Sequence, residues 1–123
     1  MGLFRRMIPW GMDPVERFEA MLAAGRDSAL LRFSLGLNYL KAGNAARAAE
    51  HLRSAVAQDK DYSAAWRLLG KALAETGDAG EAAEAYRNGI AAAGRRGDKQ
   101  AAKEMTVFLR RLEKRSPEPG SRG

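Results

Sequence analysis

The side chains able to do chemistry are few, and their spacing suits none of the usual reactions. There is no cysteine and one histidine, His51, which removes disulfides, thiolate zinc sites, iron–sulfur ligation, cysteine nucleophiles and most Ser/His catalysis. His51 has Glu50 and Arg53 for neighbours and no second ligand three or four residues away, so it reads as a surface histidine, not a metal ligand. Glu81 and Glu84 sit on a helical stretch with no buried partner in prospect, leaving paired-carboxylate catalysis without a candidate. Gly70-Lys71 and Gly77-Asp78-Ala79-Gly80 follow no strand, and so form neither a phosphate-binding loop nor a dinucleotide turn. The expectation is a non-enzyme with no catalytic residue, metal or cofactor.

Charge is the remaining chemistry. Twenty-one Lys+Arg against 15 Asp+Glu give +6 and a pI near 10.1, but the excess lies at the ends. Arg5 and Arg6 make residues 1–12 positive, the stretch 13–94 is close to neutral, and most of the surplus follows Gly94. Lys99, Lys103, Arg110, Arg111, Lys114 and Arg115 could contact the phosphates of nucleic acid or anionic lipid. Glu104 and Glu113 interrupt that cluster and no exposed aromatics interleave with it, which suits a solvated face better than nucleic-acid binding. The segment MGLFRRMIPWGM could touch a membrane surface. Pro9 and the arginines break the apolar run a secretory signal needs, and a flexible tail, or Trp10 folded back on the first helix, is the plainer reading.

The elements that carry these residues are set by a repeat. A chain of 123 residues makes one domain, and no apolar run approaches the roughly 18 residues of a membrane span. Shifted by 34 residues, 29–62 falls on 63–96: Leu35 on Leu69, Gly36 on Gly70, Gly43 on Gly77, Ala48 on Ala82, Leu52 on Tyr86. Each repeat reads as two helices. Gly43-Asn44 and Gly77-Asp78 supply a left-handed stop followed by an N-cap acceptor, and Glu81 stands at the capping-box distance from Asp78. Leu31, Leu35 and Tyr39, then Leu69 and Leu73, recur at four-residue steps as core stripes. Upstream, Phe18 and Leu22 continue the period, so Asp13 to Ala24 is the second helix of a half-repeat, with Asp13 as N-cap and Gly25 as stop. After the loop Arg95-Arg96-Gly97-Asp98, a helix over about 99–114 puts Ala101, Met105, Phe108, Leu109 and Leu112 on one face, the pattern of a terminal cap. The expected domain is 13–115, flanked by a flexible 1–12 and a disordered 116–123.

These residues resemble the tetratricopeptide repeat, with Trp66, Leu69, Gly70, Leu73, Ala82, Tyr86 and Gly89 on its consensus positions in the second unit, and Leu35, Gly36, Tyr39, Ala48, Leu52 and Ala55 in the first. The first unit departs in having Arg32 where the second has Trp66, and Lys60 and Gly94 replace the usual closing proline. The resemblance implies an all-α right-handed solenoid of small stand-alone bacterial type, cytoplasmic, serving as an adaptor or scaffold. It also implies a concave groove lined by the first helices: Leu30, Phe33, Leu37 and Lys41, then Ala64, Arg67, Lys71 and Glu75. Phe33, Leu30 and Leu37 form an apolar strip that the core does not obviously need, and Arg67 and Lys71 lie one turn apart beside it, so an anionic, partly apolar peptide would fit. Alternatively the strip packs under the N-terminal helix and the two cations merely solvate a face. The family's carboxylate clamp is missing, because Phe33, Leu37 and Leu68 hold its polar positions. The alternative function is a peripheral subunit bound to anionic lipid or nucleic acid through its basic termini.

Overall fold

Helix boundaries follow from local chemistry. Side-chain acceptors start five of the helices: Asp13, Ser28, Asn44, Asp78 and Asp98 each accept a hydrogen bond from a backbone N–H two or three residues on, at 2.8–3.2 Å. Gly43 and Gly77 close the helices before two of these caps with φ of +81° and +89°, a region costly for any side chain. The capping box at Asp78 forms only in its first half. Glu81 N–H donates to Asp78, but the Glu81 carboxylate turns away to take Arg53 at 2.7 Å.

A computed structural model describes residues 13–115, so the expectations for 1–12 and 116–123 lie outside the described residues. Six helices follow one another: α1 Pro14–Ala23, α2 Ala29–Lys41, α3 Ala45–Gln58, α4 Ser63–Glu75, α5 Ala79–Arg95 and α6 Lys99–Arg115. Among the described residues there is no strand, and no helix is long and apolar enough to cross a membrane. Each helix packs on the next, and the first helices α2 and α4 also touch, as do α4 and α6. This is a stack of helical hairpins.

Small residues let the helices approach. Ala48 and Ala82 are wholly buried at equivalent positions. Gly36 lies under Leu52, Gly70 under the ring of Tyr86, and Gly89 under Met105, so a methyl group at any of the three would collide with the partner helix. Leu35 on α2, Leu52 on α3 and Met105 on α6 are the largest fully buried side chains. On α6, Met105 and Leu112 are buried, Ala101, Phe108 and Leu109 pack partly against the core, and the outer face is charged. The helix therefore closes the open side of the second repeat.

Candidate functional site: two faces of the repeat stack

The face built by α2 and α4 holds the residues singled out from sequence. Leu30 is 66% exposed. Phe33 and Leu37 are half-buried and pack against the core, which corrects the expectation of a strip the core does not need. The reason is Tyr62, just ahead of α4, whose ring stacks on Phe33 at 5.0 Å and 27° and ties the two first helices together. Lys41, Lys71 and Glu75 are exposed, while Ala64 and Arg67 are half-buried. Lys41, Arg67, Lys71 and Glu75 have no ion-pair partner among the described residues, whereas Arg32, Arg47, Arg53, Arg87 and Arg95 are all paired. The charges of Arg67 and Glu75 are felt at Tyr86: burial raises its phenol pKa, Arg67 opposes the rise and Glu75 adds to it. The structure thus joins Phe33 to Tyr62, but links neither Arg67 nor Lys71 to α2 by any hydrogen bond or ion pair among the described residues.

The other face holds what sequence reasoning missed. His51 is not a surface residue; it is 6% exposed on α3 and lies at the centre of a polar cluster joining α1, α2 and α3. Its ring is parallel to that of Tyr39, 2° apart in plane with centroids at 5.4 Å. Arg32 Nη1 lies 3.1 Å from His51 Nδ1, and because a guanidinium only donates, Nδ1 accepts and the neutral ring carries its proton on Nε2. Nε2 faces the Glu19 carboxylate at 3.7 Å, Tyr39 donates its hydroxyl to the same oxygen, and Arg47 approaches it at 3.6 Å. Burial depresses the His51 pKa, with Glu19 pulling the other way and Arg32 and Arg47 reinforcing the depression. The Tyr39 hydrogen bond holds Glu19 below the ordinary carboxylate range. Asp27, bonded by Arg32 at 2.8 and 2.9 Å and by Gln58, is held well below it. The cluster fixes α1 to the first repeat and has no open coordination site; no group of three metal-ligating side chains occurs among the described residues.

At the equivalent place in the second repeat there is a cleft of about 760 Å³. Trp66, Leu69 and Leu73 of α4 form its floor, Arg53, Val56 and Lys60 one wall, and Glu81, Glu84, Ala85 and Asn88 of α5 the other. An Arg53–Glu81 pair at 2.7 Å bridges one end, and Arg95–Asp61 at 2.7 Å the other. The indole of Trp66 donates to the Lys60 carbonyl at 2.9 Å, which fixes the floor against the loop. Lys99, Lys103, Arg110, Arg111, Lys114 and Arg115 of the basic cluster are all exposed on α6.

Comparison with known proteins agrees with this architecture. A profile of the tetratricopeptide repeat matches residues 15–61 and 33–96. A TPR repeat-containing protein of Pseudomonas aeruginosa is 58% identical over 100 residues, 81% of this chain and 95% of its own. The solution structure of a Bordetella parapertussis protein is 45% identical, covers 90% of this chain and 96% of its own, and superposes with a TM-score of 0.74. The Sgt2 TPR domain of Aspergillus fumigatus, 30% identical, covers 89% and 69% respectively at a TM-score of 0.71.

Proposed function

Because the chain belongs to the tetratricopeptide repeat family, we propose that this interaction module is a non-catalytic adaptor that takes an acidic, partly apolar segment of a partner protein on the α2–α4 face. One observation carries the reading: Leu30 stands 66% exposed at the start of α2, on the same pair of first helices as three cations without acid partners among the described residues, Lys41, Arg67 and Lys71. A large exposed apolar side chain near unpaired charge of mostly one sign favours an amphipathic, negatively charged occupant. Half-buried Phe33 and Leu37 extend the apolar surface while serving the core.

The test is a comparison of partners captured from bacterial extract by the wild type, Leu30→Ala, Phe33→Ala, and Arg67→Glu combined with Lys71→Glu, each checked for fold by circular dichroism. Truncating an anchor typically removes about 2 kcal/mol of affinity, and reversing rim charges lowers the on-rate for acidic partners. Leu30→Ala and Phe33→Ala should therefore release partners broadly, and the charge reversal should release the acidic ones. Identical capture by all the folded variants refutes the assignment to this face.

A further inference from the structure

The two repeats differ where α1, α2 and α3 converge in the first and α3, α4 and α5 in the second, and the difference has a shape. At the 34-residue offset five members of the first polar cluster, Glu19, Arg32, Tyr39, Arg47 and His51, correspond to Arg53, Trp66, Leu73, Glu81 and Ala85, all of which line the cleft, while the counterpart of Asp27 is Asp61, paired with Arg95 at its end. Where the first repeat holds two parallel rings 5.4 Å apart, the second has a leucine and an alanine on the same scaffold. An imidazole and the outer half of a phenol are missing there, and Trp66, in the place of Arg32, takes back part of that volume. Around it the charged pair is kept with its signs exchanged: Glu19 and Arg47 become Arg53 and Glu81, now at 2.7 Å.

We propose that this cleft is a second binding site, separate from the α2–α4 face, and that it receives the phenol ring of a tyrosine on a partner polypeptide. The first repeat shows that the scaffold accepts a flat ring here, with Tyr39 as the worked case. The Tyr39 hydroxyl donates to Glu19 beside Arg47. In the cleft, a phenol lying over Leu73 and Ala85 reaches the Arg53–Glu81 pair, which offers a guanidinium to the phenol oxygen and a carboxylate to its proton. Phenylalanine would fill the same volume but leave that pair unanswered. At the mouth Lys60 and Glu84, on opposite walls, have no ion-pair partner among the described residues, so residues of opposite charge flanking the tyrosine complement both.

The experiment is a nuclear magnetic resonance titration of the isotopically labelled full-length chain with N-acetyl-tyrosine amide, and with the phenylalanine analogue. Shifts should concentrate on the Trp66 indole N–H and the backbone of Glu81, Ala85 and Asn88, with tyrosine binding about five- to ten-fold tighter than phenylalanine, the range of one ordinary hydrogen bond, since the pair is half exposed and already bonded to itself. Ala85→His refills the site with the ring the first repeat uses and should abolish these shifts. Arg53→Gln with Glu81→Gln, both exposed and outside the core, should leave binding but erase the preference for tyrosine. Leu30→Ala, which tests the α2–α4 face, should bind like the wild type. Shifts absent, shifts centred on α2, or equal affinity for the two amides in the wild type would each overturn the proposal. Should Ala85→His fail to fold, the double glutamine variant decides alone.

Discussion

Replacing Gly70 by alanine should be measurably worse than the same change at Gly94, and the margin can be worked from the structure. A methyl carbon at Gly70 would lie 2.6, 2.7 and 2.8 Å from Cε1, Cζ and Cδ1 of Tyr86. Ordinary carbon contacts are roughly 3.5–4.0 Å, so the ring must retreat by about 1 Å. It has little room to do so, being 6% exposed with Phe108 against it at 5.8 Å. Overpacking of this kind costs about 1–3 kcal/mol. Against it stands the helix-propensity gain of about 1 kcal/mol on replacing glycine by alanine. Gly94 has nothing within 4 Å of its would-be methyl group, so the same change there keeps the gain without the collision. The propensity contributions largely cancel in the difference, leaving about 1–3 kcal/mol of packing cost in urea melts followed by far-ultraviolet circular dichroism. In a domain of this size each kcal/mol corresponds to about 4–8 °C in Tm. Gly70→Leu should reach or exceed the upper end. If Gly70→Ala and Gly94→Ala melt alike, the close crossing of α4 and α5 is wrong.

Acid should loosen the N-terminal end in two stages. The folded-state pKa of His51 is depressed, so its contribution is present above its unfolded value near 6.5 and falls away as the pH drops through the folded value; Glu19 and Asp27, also depressed, add a second loss below about pH 4. Urea melts at stepped pH should show both stages in the wild type, and only the second in His51→Gln; a wild-type profile flat between pH 6.5 and 5 contradicts the burial of His51. Met105→Ala, at a fully buried position against Gly89, should cost about 2–5 kcal/mol in the same melts. Deleting residues 98–123 should cause aggregation or a large loss of helicity, whereas deleting only 116–123 should be silent by circular dichroism; equal silence would make α6 a tail and not a cap.

What could be read from the chain was what the backbone enforces within a turn or two. The stops at Gly43 and Gly77 and the caps at Asn44 and Asp78 each depend on one residue type at one place, and the structure bears them out. His51 was misread because its burial depends on residues 12 to 32 positions away on two other helices, and nothing in the local spelling Glu50-His51-Leu52 announces it. One signal is present: Arg32, Tyr39 and His51 stand where the second unit has Trp66, Leu73 and Ala85, so polar groups replace apolar ones at three matched positions. The cleft was harder to foresee. Leu73 and Ala85 are unremarkable residues that fit the helical pattern, and the space between them becomes visible only against the rings that fill it in the first repeat. The free reading of Phe33 fails because Tyr62, at the far end of the same unit and the entry to α4, stacks on its ring.

The exchange of signs between Glu19–Arg47 and Arg53–Glu81 also bears on how related units keep their order. A chain of look-alike hairpins can slip by one unit while folding, docking α1 where α3 belongs. Such a slip would keep an apolar stripe, with Phe18 and Leu22 in place of Leu52 and Val56, but would put Pro14 and Met21 where Ala48 and Ala55 lie wholly buried. It would set Glu19 against Glu81, two carboxylates meeting where the native partner brings a guanidinium. The penalty per contact is small, a few tenths of a kcal/mol at an exposed site, but it falls on the misfolded arrangement alone. The alternating charge thus adds an electrostatic key to the steric one, and inverting Glu19 and Arg47 while sparing Arg53 and Glu81 would remove that part of the discrimination.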